Sequence, residues 1–193
     1  MSLVKYNSIL DIFLNYLIPE TVSSVKKGNK IFGAFVIAKS DFKLIITGTN
    51  NEIVNPLFHG EISAIFNFFK LNKLNSKKYY FITSHEPCSL CLSAITWSGF
   101  DNFYYFFPHK ETKSKFNIPH DLNILKEVFY INNGNYNKDN IYWKSFSILE
   151  EIKKLNNKEK DSLSIKIENI TKLYQNLSLK YQNSKISNLI PLK

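Results

Sequence analysis

The sequence predicts an α/β protein, with strands and helices alternating around a mixed sheet. Short runs of β-branched and aromatic residues are bounded by turn residues, and between them apolar residues recur at helical spacing. The chain has 193 residues, of which 44% are hydrophobic and 15% aromatic, a composition typical of globular and not of disordered proteins. This length is enough for one compact domain and an appendage.

The first half of the chain is predicted to contain a helix, a β-hairpin and a second helix. Apolar residues at helical spacing over 4–18 predict an amphipathic helix before Pro19. The β-branched runs 31–38 and 43–49 flank a Lys-Ser-Asp turn and therefore predict an antiparallel hairpin. After a loop, apolar residues spaced by three and four positions predict a helix with one buried face over 59–71.

The middle of the chain continues this alternation. A short strand is predicted over 79–83, and Pro87 suits the first turn of a helix that stops at Gly99. A fourth strand is predicted over 103–107. Because strands joined through helices form right-handed crossovers, helices are expected to cover the mixed sheet.

The C-terminal part is predicted to be helical. Apolar spacing predicts a helix over 122–129, and a longer helix has an apolar stripe over 163–181 that is expected to pack on the domain or on a second subunit. We therefore divide the chain into a domain over 1–148 and a helical C-terminal extension over 149–193.

The formal charge of +9 raises the question of an anionic partner such as nucleic acid or a membrane surface. However, all 25 basic residues are lysine, and arginine is the residue that makes bidentate contacts with phosphate and guanine. The lysines of the C-terminal extension also alternate with acidic residues, as on a solvated helix face. The charge by itself therefore does not indicate a polynucleotide partner.

The apolar segments argue against a membrane or a secreted protein. No uninterrupted apolar run approaches the roughly 20 residues that span a bilayer. The stretch over 8–18 contains Asp11 and Asn15 and is not followed by the cleavage site of a signal peptide. The chain has only two cysteines, close together, so a disulfide framework is not expected. We expect a cytoplasmic protein whose cysteine pair serves metal or redox chemistry.

Two short motifs carry the chemistry, His59-Gly60-Glu61 and Pro87-Cys88-Ser89-Leu90-Cys91. Imidazole and thiolate are ligands that Zn²⁺ prefers, and a catalytic zinc site has three protein ligands, so that water takes the fourth position. His59, Cys88 and Cys91 are therefore the predicted metal ligands. The two cysteines share a helix face at its first turn, where the helix dipole favours thiolates.

Glu61 is the predicted proton carrier. Two thiolates neutralise the Zn²⁺ charge, and the pKa of a water on the metal then falls far enough to supply hydroxide near neutral pH. A carboxylate beside this water can take its proton and deliver it first to a ring nitrogen and then to a departing amine. Glu61 can reach the metal because it lies at the start of its helix, where side chains lean outward.

Two other interpretations of the cysteine pair stay open. A structural zinc knuckle needs a fourth ligand, for which only His85, His109 and His120 are available. A metal-free redox pair needs neither His59 nor Glu61. Outside these roles, the three remaining histidines are expected to be ordinary surface or core residues.

The motifs resemble those of the cytidine and deoxycytidylate deaminase superfamily, whose zinc enzymes share an H-x-E and P-C-x-x-C signature. The resemblance extends to Phe32-Gly33-Ala34-Phe35-Val36, to Gly48-Thr49-Asn50 and to the helix after Glu86, and covers roughly residues 5–110. It implies a three-layer α/β/α sandwich, a Zn²⁺ cofactor and a catalytic Glu61. It also implies that Asn50 hydrogen-bonds the substrate base and, because family members are commonly dimers or larger, that the protein is a homo-oligomer.

The resemblance contains two indications of the substrate. The run E-P-C-x-x-C-L-x-A-I-x-W is most similar to bacterial guanine deaminases and next to tRNA adenosine deaminases. His59-Gly60-Glu61-Ile62-Ser63 is similar instead to fungal cytosine deaminase, since the purine enzymes usually have Ala between His and Glu. The two motifs therefore disagree between a purine and a pyrimidine.

The predicted function is zinc-dependent hydrolytic deamination of a nucleobase or nucleoside, of guanine or cytosine type, with release of ammonia. A small substrate of this kind needs a closed pocket, completed by residues among 116–143 or by a neighbouring subunit. A tRNA adenosine deaminase, with an open basic rim and a flipped-out base, is the alternative. A third hypothesis is a non-catalytic, zinc-stabilised module that binds RNA or a protein.

Overall fold

The computed structural model describes residues 2–72 and 75–193. Five strands form one sheet: β1 (Gly33–Ala38), β2 (Leu44–Thr49), β3 (Tyr79–His85), β4 (Asn102–Phe107) and β5 (Lys144–Ser147). Their order across the sheet is β2-β1-β3-β4-β5. Strand β1 is antiparallel to β2 and β3, whereas β3, β4 and β5 run parallel, so the sheet is mixed as predicted.

Helices connect and flank these strands. They are α1 (Ser2–Ile12), α2 (Ile18–Lys26), α3 (Gly60–Lys70), α4 (Ser89–Trp97), α5 (His109–Phe116), α6 (His120–Phe129), α7 (Ile148–Lys153) and α8 (Asn157–Ser184). Within 2–72 and 75–193, none of the helices combines the length and the apolar character needed to cross a membrane.

The helices cover both faces of the sheet. On one face α1, α2, α7 and α8 enclose a cluster of buried side chains that includes Phe13, Phe35 and Tyr174. On the other face α3 and α4 pack on the sheet around Phe68 and Ile95. Each face buries an apolar layer between helix and sheet, which confirms the three-layer α/β/α sandwich.

The N-terminal helix continues beyond Pro19, whereas the sequence predicted a helix before this residue. A π-helical turn over Phe13–Leu17 joins α1 to α2, and Pro19 lies in the first turn of α2. A proline lacks an N–H and its ring crowds the carbonyl four residues earlier. The wider π turn shifts the hydrogen-bonding register just before the proline, so the helix passes through it.

Three elements of the structure were not predicted. Helix α5 is strongly polar and buries only His109, Thr112 and Phe116. Helix α7 has six residues, and β5 has four residues at the edge of the sheet. Segments this short contain too few apolar residues to show a period, and β5 forms only because β4 lies beside it.

The C-terminal extension packs on the sheet domain through the predicted stripe. Leu163, Ile170, Tyr174 and Tyr181 of α8 are buried in the same cluster as residues of α1 and β1. The stripe therefore meets its own domain, one of the two expected partners. The domain boundary between 148 and 149 stays a prediction.

Candidate metal centre and active site

The three predicted metal ligands lie at the starts of two helices. His59 is the N-cap residue of α3, Cys88 is the N-cap residue of α4, and Cys91 lies in the first turn of α4. Helix α4 begins at Ser89, two residues later than Pro87, where the sequence predicted its start, and Gly99 follows its end with a left-handed φ of 72°. Both helix N-termini point at the same spot, where their dipoles favour thiolate ligands.

The three ligand atoms have the spacing of a metal site. His59 Nδ1 lies 3.4 Å from Cys88 Sγ and 3.6 Å from Cys91 Sγ, and the two sulfur atoms are 3.5 Å apart. Ligands at typical Zn–N and Zn–S distances in a tetrahedron are separated by about 3.5–3.8 Å. The group therefore fits Zn²⁺ with one coordination position free of protein.

None of the remaining histidines completes a fourth position in the part of the chain that the structure describes. The metal-binding group there consists of His59, Cys88 and Cys91. The ring Nδ1 atom of His85 forms a hydrogen bond with Ser84 Oγ. The ring Nε2 atoms of His109 and His120 lie within hydrogen-bond distance of backbone carbonyl oxygens. This arrangement favours a catalytic over a structural metal site.

Glu61 lies beside the metal group, as predicted. It is the second residue of α3, it is 5% exposed, and with His59 and Cys88 it lines a small hollow. Burial raises the pKa of Glu61 to about 7. Hydrogen bonds from Cys91 and with His59 lower the pKa of Cys88 despite its burial, which favours the ligating thiolate form.

Gly60 allows α3 to approach β1 closely enough to place these groups. A Cβ atom on Gly60 would lie 2.5 Å from Gly33 Cα and 2.9 Å from Gly33 N. Opposite them, a Cβ atom on Gly48 would lie 2.2 Å from the backbone nitrogen of Ala64. The glycine between His59 and Glu61 is therefore required by backbone packing.

A buried polar network lies behind His59. Its Nε2 atom is 3.9 Å from Oε1 of Glu52, and the same oxygen forms a 2.6 Å ion pair with Lys30. Glu52 also accepts a 2.7 Å hydrogen bond from the amide of Asn50. At 3.9 Å the Glu52 carboxylate lies beside the free ring nitrogen of His59 without a direct hydrogen bond, so its contribution there is a negative charge near the imidazole. No local motif around Glu52 indicated this position.

Asn50 is 1% exposed and uses both ends of its amide. Its Oδ1 accepts a 2.6 Å hydrogen bond from Gly60 N, and its Nδ2 donates to Glu52. Asn50 thereby ties the start of α3 to the network behind His59. Its predicted contact with the substrate base stays a prediction.

A cavity of about 280 Å³ opens beside the metal group. Its walls include Phe32, Leu57 and His120, together with residues 190–192 of the C-terminal segment. The C-terminal segment is held there by a hydrogen bond from Asn188 Nδ2 to Gly28 O at 3.0 Å. The walls of the cavity therefore come from one chain, partly from the region 116–143 that the sequence indicated and partly from residues far beyond it.

Asp121 supplies a second carboxylate to this site. It lines both the cavity and the small hollow that contains Glu61. Burial, reinforced by the nearby Cys88, raises the pKa of Asp121 well above its ordinary value. In the sequence Asp121 is one acidic residue near the start of a predicted helix, a common position for an acid, and no spacing linked it to the metal motifs.

Glu86 anchors the turn that carries Cys88. Its carboxylate accepts hydrogen bonds from His109 N at 2.9 Å and from the Tyr136 hydroxyl at 2.8 Å, and it pairs with Lys138 at 2.7 Å. Burial opposes ionisation, but His109 and Lys138 lower the pKa of Glu86 below its ordinary value. These bonds join the 136–138 loop to the metal turn.

A histidine, two cysteines and a buried glutamate beside a cavity are the arrangement of a zinc-dependent deaminase. Residues 11–107 match the family model described as the cytidine and deoxycytidylate deaminase zinc-binding region, which covers half of the chain. The chain belongs to this family. It is a zinc-binding deaminase of nucleobase or nucleoside amines, as predicted.

Solved structures that share the fold include two guanine deaminases. A guanine deaminase from Nitrosomonas europaea is 17% identical, with a TM-score of 0.54 over 85% of this chain and 81% of that one. A guanine deaminase from Bacillus subtilis is 24% identical, with a TM-score of 0.52 over 68% of this chain and 85% of that one. No curated protein sequence matches the chain.

Proposed function

We propose that this deaminase hydrolyses the exocyclic amine of a free nucleobase of guanine type and releases ammonia. The observation that carries the proposal is the cavity of about 280 Å³ beside the metal group, with Asp121 as an acceptor in its wall. His59, Cys88 and Cys91 hold Zn²⁺, and Glu61 carries the protons. Asn50 is proposed to contact the base by family resemblance.

Glu61 performs the proton transfers. When bound, Zn²⁺ supplies the nucleophile by lowering the pKa of a water ligand toward neutrality. Glu61 takes one proton from this water and gives it to a ring nitrogen of the base, and it then passes the second proton to the amine. The water oxygen ends on the ring carbon as a carbonyl, the C–N bond breaks, and ammonia leaves.

The cavity supports a free base over a polynucleotide. Residues 190–192 form part of its wall, and Ile190 is 2% exposed. A base still attached to tRNA brings its ribose and phosphates to the mouth of the site, so these residues would have to leave. A flipped-out base also needs a surrounding surface that holds the backbone.

Three observations support a purine of guanine type. Asp121 presents carboxylate oxygens to the cavity, and guanine offers neighbouring N–H donors for such an acceptor. The glycine between His59 and Glu61, which in the sequence suggested a pyrimidine, is explained by its contact with Gly33. Two of the solved structures with this fold are guanine deaminases.

The test is ammonia release by zinc-loaded protein from guanine, cytosine, adenine, their nucleosides and unmodified tRNA. We expect guanine to be the best substrate. We also expect Glu61→Gln to retain zinc, measured by atomic absorption, and to lose at least about a hundredfold in kcat, because the amide cannot carry a proton.

The matched control is Glu150→Gln, which changes an exposed carboxylate far from the site. It should keep both zinc and turnover. Cytosine or tRNA as the best substrate would overturn the guanine assignment but not the deaminase, whereas an active Glu61→Gln enzyme would remove Glu61 from the mechanism.

A further inference from the structure

His85 has a buried ring nitrogen that no residue in the described part of the chain satisfies. The residue ends β3, is 3% exposed, and lies three positions before Cys88. Its Nε2 atom is buried and has no hydrogen-bond partner. Buried polar atoms in folded proteins are almost always paired, so an unpaired one indicates an absent occupant.

The hydrogen bonds around His85 define which proton it carries. Gly33 N donates to Ser84 Oγ at 3.0 Å, which leaves the Ser84 hydroxyl proton free for His85 Nδ1 at 2.9 Å. Nδ1 is then an acceptor, and the proton of a neutral imidazole lies on Nε2. Burial lowers the pKa of His85 to about 3, so the ring is neutral at physiological pH.

Aromatic side chains hold this ring in place. Ring centroids of Phe32, Phe107, Phe116 and Tyr174 lie 4.8, 5.0, 5.1 and 5.3 Å from that of His85. Such a cage offers hydrophobic contact but no acceptor in the plane of the imidazole. Nε2–H is therefore a rigid donor with a fixed direction.

His85 is one of the residues that line the small hollow at the reacting groups. This hollow has a volume of about 10 Å³, and Glu61, His59 and Cys88 line it as well. It shares Phe32 and Asp121 with the larger cavity, so the two spaces adjoin. The edge of a base whose amine carbon lies against the metal group must come close to this hollow.

We propose that His85 is a specificity-determining residue whose Nε2–H donates a hydrogen bond to an acceptor atom of the bound base. This inference rests on the proposed function. Asp121 and His85 then recognise different groups of the base. The Asp121 carboxylate accepts hydrogen bonds from the N–H groups of the base, and the His85 imidazole donates one to a ring nitrogen or to the carbonyl oxygen of the base.

The test compares the dissociation constant of guanine with those of three analogues, each lacking one acceptor, in the Glu61→Gln background, where no ligand is turned over. In two of them a ring nitrogen is replaced by C–H, and the third lacks the carbonyl oxygen. With His85 present we expect one analogue to lose about tenfold in affinity relative to guanine, the effect of one hydrogen bond to a buried donor. In His85→Phe guanine itself should lose about tenfold, and the difference between guanine and that analogue should disappear.

Three further variants separate recognition from packing. His85→Gln retains an N–H at similar reach and should restore part of the selectivity. Tyr174→Phe removes only a hydroxyl from the aromatic cage and should keep the wild-type ratios. His85→Leu also lacks the donor and replaces His85→Phe if zinc content and thermal melting show that the phenylalanine variant is not folded.

Equal losses for guanine and all three analogues in a variant without the donor would overturn the inference, because His85 would then only support the fold or hold a water. If the wild-type protein deaminates other bases but not guanine, the proposed substrate fails, and the inference fails with it. These two outcomes are distinguished by the activity of the wild-type protein.

Discussion

Glu61, which is buried, and Asp121, which is half-buried, are two carboxylates of one site, and we propose different tasks for them. Glu61 lies beside the metal ligands, whereas Asp121 borders the hollow and the larger cavity, which is the proposed place of the base. Of the two, only Glu61 was marked by a motif. The assignment of Asp121 to substrate binding therefore depends on its position in space.

The variant Asp121→Asn keeps the shape of the side chain but replaces one acceptor oxygen with a donor. We expect kcat/KM for guanine to fall about ten- to a hundredfold, mainly through KM, because substrate N–H groups then face an N–H group. Steady-state kinetics measures this change. Asp161→Asn, on the exposed side of α8, is the control. Unchanged kinetics in Asp121→Asn would show that its carboxylate does not contact the base.

His85 also predicts acid sensitivity of the folded protein. Its pKa is about 3 when folded and about 6.5 when unfolded, so between these pH values the unfolded chain binds a proton that the folded chain does not. The stability contributed by neutral His85 is present above about pH 6.5 and is lost as the pH falls. From pH 7 to pH 5 the loss is about 2 kcal/mol.

Urea unfolding of metal-free protein at both pH values measures this contribution. His85→Phe should show a smaller drop in the free energy of unfolding than the wild type. Equal drops in the two proteins would mean that His85 is protonated as easily in the folded state as in the unfolded state.

At the scale of elements, the close contact of α3 with β1 and β2 positions His59 and Glu61. Gly48 and Gly60 together remove the Cβ atoms that would separate the helix from the sheet. Helix and sheet therefore approach each other through their backbones, and the start of α3 has little freedom to move.

Gly60→Ala should push α3 away from β1, because the new Cβ would lie 2.5 Å from Gly33 Cα. We expect a loss of about 1–3 kcal/mol of stability together with weaker zinc binding. Thermal melting and a competition assay with a zinc chelator measure the two effects. Ser63→Ala on the same helix is the matched control. A Gly60→Ala protein with wild-type melting and zinc affinity would contradict the close packing.

The elements that sequence periodicity predicted are those with several apolar residues on one face. The hairpin of β1 and β2, helix α3 and the buried stripe of α8 belong to this class. Helix α5 and strand β5 do not, because each has few buried apolar side chains and forms through neighbours distant in the chain. Pro19 led us to predict the end of a helix at this point. In the structure the π turn over Phe13–Leu17 lets the helix continue past Pro19.

At the scale of the whole molecule, the metal group joins parts of the chain that are separated by a helix and a strand. His59 begins α3 and Cys88 begins α4, so a metal ion bound by both links the two helices on one side of the sheet. Binding to the folded state alone stabilises that state by mass action.

Removal of zinc by a chelator should therefore lower the melting temperature by about 5–10 °C. Differential scanning calorimetry before and after chelation measures the shift, and added zinc should reverse it. Cys88→Ser should melt at the lower temperature with or without the chelator. A melting temperature that chelation does not change would show that the site contributes nothing to the stability of the fold.

The sequence by itself determined the family and the group of His59, Cys88 and Cys91, and it predicted that Glu61 lies beside this group. These residues lie in two short motifs, and each motif begins a helix next to a strand, so local spacing was sufficient to relate them. It also determined the α/β class, because apolar periods of strand and helix are local properties.

Only the tertiary structure showed which residues form the walls of the cavity and which further polar groups lie beside it. Asp121, Glu52 and residues 190–192 come from a helix start, a loop and the C-terminal segment, which the chain brings together only on folding. The tertiary structure also explained why a glycine stands between His59 and Glu61, because Gly60 packs directly against the backbone of Gly33. No local period or motif encodes such contacts, because they depend on the distances between elements that are far apart in the sequence.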